Sequence, residues 1–238
     1  MCRFNIWVIL FFTILPWSRI SGVAPDLFVP VAKNIIQQDT LKENQVLYNG
    51  KIWRNLYFRV NGNQFLFSND FLPGSLTIGG KSFEEIHLKY DIFKDELLTP
   101  SDTGGMLQLN KELVDSFSIS FQNNTYRFIR IKGDSLNGPA GYFNVLYKGK
   151  TSLCLKYLKK IDKLADEGKF DKFYQFTRLY FVKDNVFFPI SGERDLIKVM
   201  SDKKALVKNF ISKKKLRVSG KVPESFIPVI RYFDSISQ

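Results

Sequence analysis

Five features of this chain have the residue types and spacing from which chemistry could be built. Asp102-Thr103-Gly104 has the letters of an aspartic-protease triplet. In that motif an Asp closing an apolar strand works beside a second Asp, and the two share one proton. Here Pro100 and Ser101 precede the Asp and no second triplet exists, so a turn made of Asp and two glycines is the better expectation. The adjacent carboxylates Glu84-Glu85 and Asp95-Glu96 are of the type glycosidases use. Those enzymes hold two carboxyls roughly 5–10 Å apart across one cleft. Neighbours on a strand point to opposite faces, so neither pair has that geometry alone. A hydrolase acting on envelope polymers would have to gather its carboxylates from separate strands. His87, the single histidine, shares a strand face with Lys89 and Asp91, which predicts exposure rather than a catalytic or metal role. Cys154 lies among alternating apolar residues and reads as a buried thiol. No nucleophile elbow, phosphate-binding glycine loop or calcium loop is present, so no metal or cofactor is expected.

The fifth feature is cationic. The chain carries 35 Lys+Arg against 23 Asp+Glu, a net charge of +12. Between residues 193 and 221 there are ten basic and three acidic residues. Six of the ten, Lys204, Lys208, Lys213, Lys214, Lys215 and Arg217, form the candidate anion- or partner-binding set. Such a cluster attracts anionic lipid headgroups, lipopolysaccharide phosphates or an acidic envelope protein without sequence-specific contacts. Lysines in the last turn also suit a helix dipole, which is the competing explanation.

These groups need elements to position them, and the chain begins with an address. Arg3 is followed by an uncharged apolar run over residues 6–17 and by the small residues Ser18, Ser21, Gly22 and Ala24. That is the pattern of an export signal, expected to span residues 1–23. The run is about a dozen residues where a spanning helix needs roughly 20, and no later stretch reaches that length. An exported address disfavours nucleic acid as a partner. Cys2 leaves with the signal, so the mature chain has one Cys, cannot form an internal disulfide, and must rest on its core. That core is aromatic: 15% of residues are Phe, Trp or Tyr, 23 of them Phe.

Residues 24–45 read as a lead-in, and residues 46–192 as an antiparallel β domain of roughly a dozen strands. Alternating apolar runs are separated by turn residues throughout this stretch. Asn61-Gly62 predicts a type I′ hairpin joining strands at 53–60 and 63–67. Gly79-Gly80, Asn123-Asn124, Lys148-Gly149-Lys150 and Asp184-Asn185 predict further turns. Residues 159–176 fit either a short helix or an apolar loop. Short connections favour a large antiparallel meander, either a curved sheet or a partly closed barrel. Beyond Gly192 the period becomes helical, giving a C-terminal helical cap over residues 193–238 with Ser201 or Asp202 as an N-cap and Pro228 in the first turn of the last helix.

Tyr142-Phe-Asn-Val-Leu-Tyr-Lys-Gly-Lys150, Leu155-Lys-Tyr-Leu-Lys-Lys-Ile161, Tyr180-Phe-Val-Lys183 and the lysine-rich tail together resemble exported proteins of Bacteroidetes-type bacteria. The resemblance covers residues 46–238 and implies an envelope or secreted location in a Gram-negative cell: periplasm, outer-membrane surface or medium. That group has no assigned activity, so it transfers no functional residue. Together with the charge pattern, it leads to the expectation of a non-enzymatic envelope protein with a binding role.

Overall fold

The computed structural model describes residues 50–102, 104–133 and 138–237. The expected export signal and lead-in lie outside the described residues. The strands are β1 (Gly50–Ile52), β2 (Leu72–Ile78), β3 (Lys81–Asp91), β4 (Glu96–Pro100), β5 (Met106–Leu109), β6 (Val114–Phe121), β7 (Asn124–Ile131), β8 (Gly141–Lys148), β9 (Ser152–Asp166), β10 (Phe170–Lys183) and β11 (Val186–Ile190). They form one antiparallel sheet in the order β1-β5-β4-β3-β2-β6-β7-β8-β9-β10-β11. The plain meander is broken twice, where β1 pairs with β5 and where β2 lies between β3 and β6. The sheet curls but does not close, leaving β1 and β11 as edges. Helices α1 (Glu193–Val199), α2 (Lys204–Lys213) and α3 (Ile227–Ile236) follow.

Cross-strand partners share a face, and this register carries one apolar row across the sheet. Phe83, Leu76, Phe117, Phe128, Asn144, Leu155, Leu179 and Ile190 lie side by side on successive strands. At the β2–β8 end the curl encloses the row, and Tyr90, Phe117, Phe128 and Tyr142 pack ring against ring with centroids 4.7–5.8 Å apart. At the other end the helices cover it, setting Leu196, Val207, Val229, Ile230 and Phe233 against Leu153, Leu155, Leu179 and Phe181. Period-2 alternation sends Phe143, Cys154 and Tyr180 to the opposite face, where they form a small third cluster. Cys154 is buried as expected, and burial pushes its thiol up to about 11.

Several expectations are corrected. No hairpin forms at Asn61-Gly62. A type I′ turn needs positive φ at both central residues, and only Gly62 has it. Residues 53–71 instead run as irregular chain between two strand ends. Leu66 N–H donates to Tyr90 O at 2.9 Å, Ile92 N–H to Gln64 O at 3.1 Å, and Asn61 bridges Lys172. Residues 159–176 are neither helix nor loop, because β9 and β10 run through them as a hairpin of 15- and 14-residue strands. The turn expected at Asn123-Asn124 is centred one residue earlier, on Gln122 and Asn123, both with positive φ. Neither Ser201 nor Asp202 caps α2, since both lie in a short 3-10 turn before it. The turns at Gly79-Gly80 and Asp184-Asn185 form with both φ positive, and Pro228 sits in the first turn of α3.

Candidate functional site

All six candidate cations are exposed. Lys204 and Lys208, four residues apart on α2, lie on one flank of the buried Val207–Ile211 stripe, while the helical period puts Lys213 on the other. Lys214, Lys215 and Arg217 follow at the helix end, so the set runs from the first residue of α2 to just past its C-terminus rather than forming one compact patch. Among the described residues no carboxylate pairs with any of the six. The cap's ion pair, Lys183 with Asp202 at 3.7 Å, uses other residues. Lys215 adopts φ +50 and closes the helix: its N–H donates to Ser212 O and the Leu216 N–H to Ile211 O, each at 3.0 Å. This is the Schellman pattern with lysine where glycine is usual.

Several carboxylates, in contrast, are engaged in holding structure. Asp95 sits in the turn between β3 and β4, at the seam where that turn reaches across the curl to β8 and β9. Its Oδ1 accepts from Tyr90 OH at 2.6 Å and from Tyr142 N–H at 3.4 Å. Its Oδ2 accepts from Lys111 Nζ at 2.6 Å and Lys156 Nζ at 3.5 Å. Lys156 also donates to Ala140 O. Gly141 is required here, because a Cβ at that position would collide with Asp95 Oδ2 and its φ is +112. The seam is extended by Lys159, whose N–H donates to Ile92 O at 3.2 Å and whose Nζ donates to Phe65 O at 2.6 Å and Asn63 O at 2.8 Å. Burial pushes the Lys159 amine down to about 8 and lowers that of Lys156, an effect that Asp95 partly offsets. Burial, reinforced by Asp95, raises the phenols of Tyr90 and Tyr142. Asp234 on α3 fastens the cap to the β8–β9 turn, accepting from Thr151 N–H and Oγ1–H and from Tyr147 OH.

The face of β3 expected to be wet is wet only at His87. Lys89 is buried, with Nζ 4.7 Å and 4.5 Å from the ring centres of Phe65 and Phe71. Asp91 is fully buried; Oδ1 accepts from the turn N–H groups of Phe93 and Lys94, and Oδ2 has no hydrogen-bond partner. Burial therefore raises the Asp91 carboxyl. Sequence alternation missed both residues, since it identifies a face but not what later crosses over it. Here residues 63–71 cover that face.

Three of the remaining candidates meet at one place. Glu85, His87 and Asp102 line a shallow cleft of about 270 Å³ on the β3–β4 surface. Glu85 reaches it because its φ is +56, at the irregularity where β2 and β3 shift register. Glu84 is exposed on the same strand and does not line the cleft. Among the described residues no three His, Cys, Asp or Glu side chains gather to hold a metal ion, and no helix is long and apolar enough to cross a membrane. Comparison with known proteins finds no matching family model, no matching curated sequence and no matching solved structure.

Proposed function

We propose that this chain is an exported, non-enzymatic envelope protein that holds an anionic lipid surface, phospholipid or lipopolysaccharide, against its helical cap. One contrast carries this proposal. The cations rimming α2 are exposed and without carboxylate partners among the described residues, whereas Asp91, Asp95, Asp195 and Asp234 are each bound by two or more donors. A lysine kept in the left-handed conformation at position 215 supports it further, because glycine would close that helix at lower cost.

The test is sedimentation with vesicles of phosphatidylglycerol or of phosphatidylcholine. Each cation near an anionic surface contributes about 1 kcal/mol. Changing Lys213, Lys214, Lys215 and Arg217 together to Gln should therefore weaken binding by about 10²–10³-fold. Binding should also fade as salt rises from about 0.05 to 0.5 M. Equal binding to neutral vesicles, or binding indifferent to salt, would defeat the proposal; selective capture of an acidic protein in place of lipid would transfer it to the protein partner.

A second function, hydrolysis of envelope polymers, is favoured by the meeting of Glu85, Asp102 and His87 at one cleft. It requires that purified protein release reducing ends from envelope glycan and that Glu85→Gln abolish the release. No release from the unsubstituted protein retires it.

A further inference from the structure

Among the described residues, the longest hairpin leaves part of its outer edge unpaired. β11 covers β10 from Leu179 to Lys183, and lower down the one partner among the described residues is Asn61. Asn61 N–H donates to Asp171 O at 2.8 Å and its carbonyl accepts from Phe173 N–H at 3.1 Å. Backbone N–H and C=O of a strand residue point to the same side, and the side alternates along the chain. Asp171 and Phe173 therefore direct theirs away from β9, and so do Gln175 and Thr177. Lys159, opposite Gln175 in the register, confirms the phase, because its own N–H is free to donate to Ile92 O. Among the described residues no hydrogen bond occupies the outward N–H and C=O of Gln175 and Thr177. From Phe173 to Leu179 the gap is about 20 Å long at 3.3 Å per residue.

A groove of about 760 Å³ opens at the upper end of this gap, with Thr177 and Arg178 on one wall, Ser219 and Lys221 on the other, and Ile190 and Ser191 at its end. Its charges are arranged in order. Arg178 and Lys221 are exposed and have no carboxylate partner among the described residues. The groove's one carboxylate, Asp195, is at the Ser191 end, where its Oδ2 accepts from Ser191 N–H at 2.8 Å and Ser191 Oγ–H at 2.6 Å. By comparison, the outer edge of β11 is blunted by Pro189. That residue occupies a non-hydrogen-bonded position against Tyr180 and offers no outward N–H.

The geometry points to a peptide-binding site, in which an extended acidic segment of a partner protein adds as a short strand beside Gln175 and Thr177. Its backbone would pair with the two open donors and two open acceptors, its carboxylates would face Arg178 and Lys221, and its apolar end would lie against Ile190. This site is separate from the lipid-facing cations of α2, so either can fail without the other.

The test uses a labelled peptide, acetyl-Thr-Val-Glu-Val-Glu-Val-Thr-amide, titrated by fluorescence anisotropy into the full chain. Thr177→Pro removes an outward N–H while leaving every β9–β10 hydrogen bond in place, and a proline is tolerated at such an edge position. The expected result is at least a tenfold weaker complex for Thr177→Pro and for a peptide N-methylated at alternate residues, which tests the backbone pairing without altering the protein. Replacing both Glu by Lys in the peptide should abolish binding, and amide exchange at Gln175 and Thr177 should slow when the acidic peptide is present. The variant with Lys213, Lys214, Lys215 and Arg217 changed to Gln should still bind. Absence of binding by the acidic peptide, or equal binding by the N-methylated or lysine form, would overturn the assignment.

Discussion

Replacing Asp95 with Asn separates a structural carboxylate from a catalytic one. Asp95 has φ +58, a conformation that Asn adopts readily, so the change adds no backbone strain. It removes the charge from a group that accepts four hydrogen bonds, two of them from lysines. Asn keeps one oxygen for Tyr90 and turns an N–H₂ towards a cation. Lys111, whose side chain is 34% exposed, can move into solvent, but Lys156, at 10%, remains buried without a counter-charge. Leaving one partner of a buried pair uncompensated costs about 3–5 kcal/mol, and that is the loss expected for Asp95→Asn in urea unfolding at pH 7, with an unchanged slope. Adding Lys156→Met should return about 1–3 kcal/mol, because it removes the orphaned charge and keeps the stem's apolar volume. A loss below about 1 kcal/mol, or no recovery in the double variant, would show that Asp95 does not hold the seam. Its oxygens would then be available for chemistry.

The seam lysines also give stability a pH dependence. Lys159 has its folded value lowered to about 8 against an unfolded value near 10.5. The unfolded chain therefore binds the extra proton across that interval, and stability should rise from about pH 8 until the tyrosines begin to ionise near pH 10. Lysines 89 and 156 act in the same direction. Above pH 10, Tyr90 and Tyr142 act against it, since their raised values mean that only the unfolded chain ionises readily. Urea midpoints at pH 7.5 and 9.5 should show the rise, and Lys159→Met should flatten it; an equal rise in that variant would refute the assignment. At the cap, Lys215→Gly should stabilise the protein by about 0.5–1 kcal/mol by relieving the left-handed conformation. In a thermal melt this is about 2–4 °C per kcal/mol for a chain of this size. No gain would mean that the Lys215 side chain offsets its own strain through the helix-end carbonyls.

Local rules made much of the sheet legible. Gly79-Gly80 and Asp184-Asn185 gave their turns because positive φ at both central residues has few sequence solutions. Phe117, Ile119 and Phe121 alternate with Ser116, Ser118 and Ser120, and that period makes β6 legible because its serine face is only half-buried. The same rules failed wherever a distant segment overrides them. Asn61-Gly62 is as good a hairpin signal as any in the chain, but Asn61 is held by Asp171 and Phe173 of β10. The β9–β10 hairpin escaped notice because Lys159, Lys160, Lys163 and Lys172 interrupt its alternation. Lys159 shows the cause: its charge is satisfied by the carbonyls of residues 63 and 65, nearly a hundred residues earlier. Asp95 was visible only as half of an adjacent acidic pair. Its true partners come from β3, β8, β9 and Lys111, and no local spacing encodes that convergence.

The charge imbalance has the same division. Twenty-two basic residues against eighteen acidic ones between residues 25 and 192 leave that stretch nearly neutral, and several of its lysines are tied to carbonyls, carboxylates or ring faces inside the fold. Among the described residues the cations around α2 have no such engagement, yet they lie within a few residues of one another, where mutual repulsion works against the compact state. Solubility alone would be served as well by spreading them, and a helix dipole acts only on the last turn, which leaves Lys204 and Lys208 unexplained by it. A concentrated, unpaired set that includes a lysine in a strained backbone position is what an anionic surface would reward and what folding would not. The stability gained by Lys215→Gly and the lipid affinity lost with the cap cations should therefore have opposite signs in the same protein.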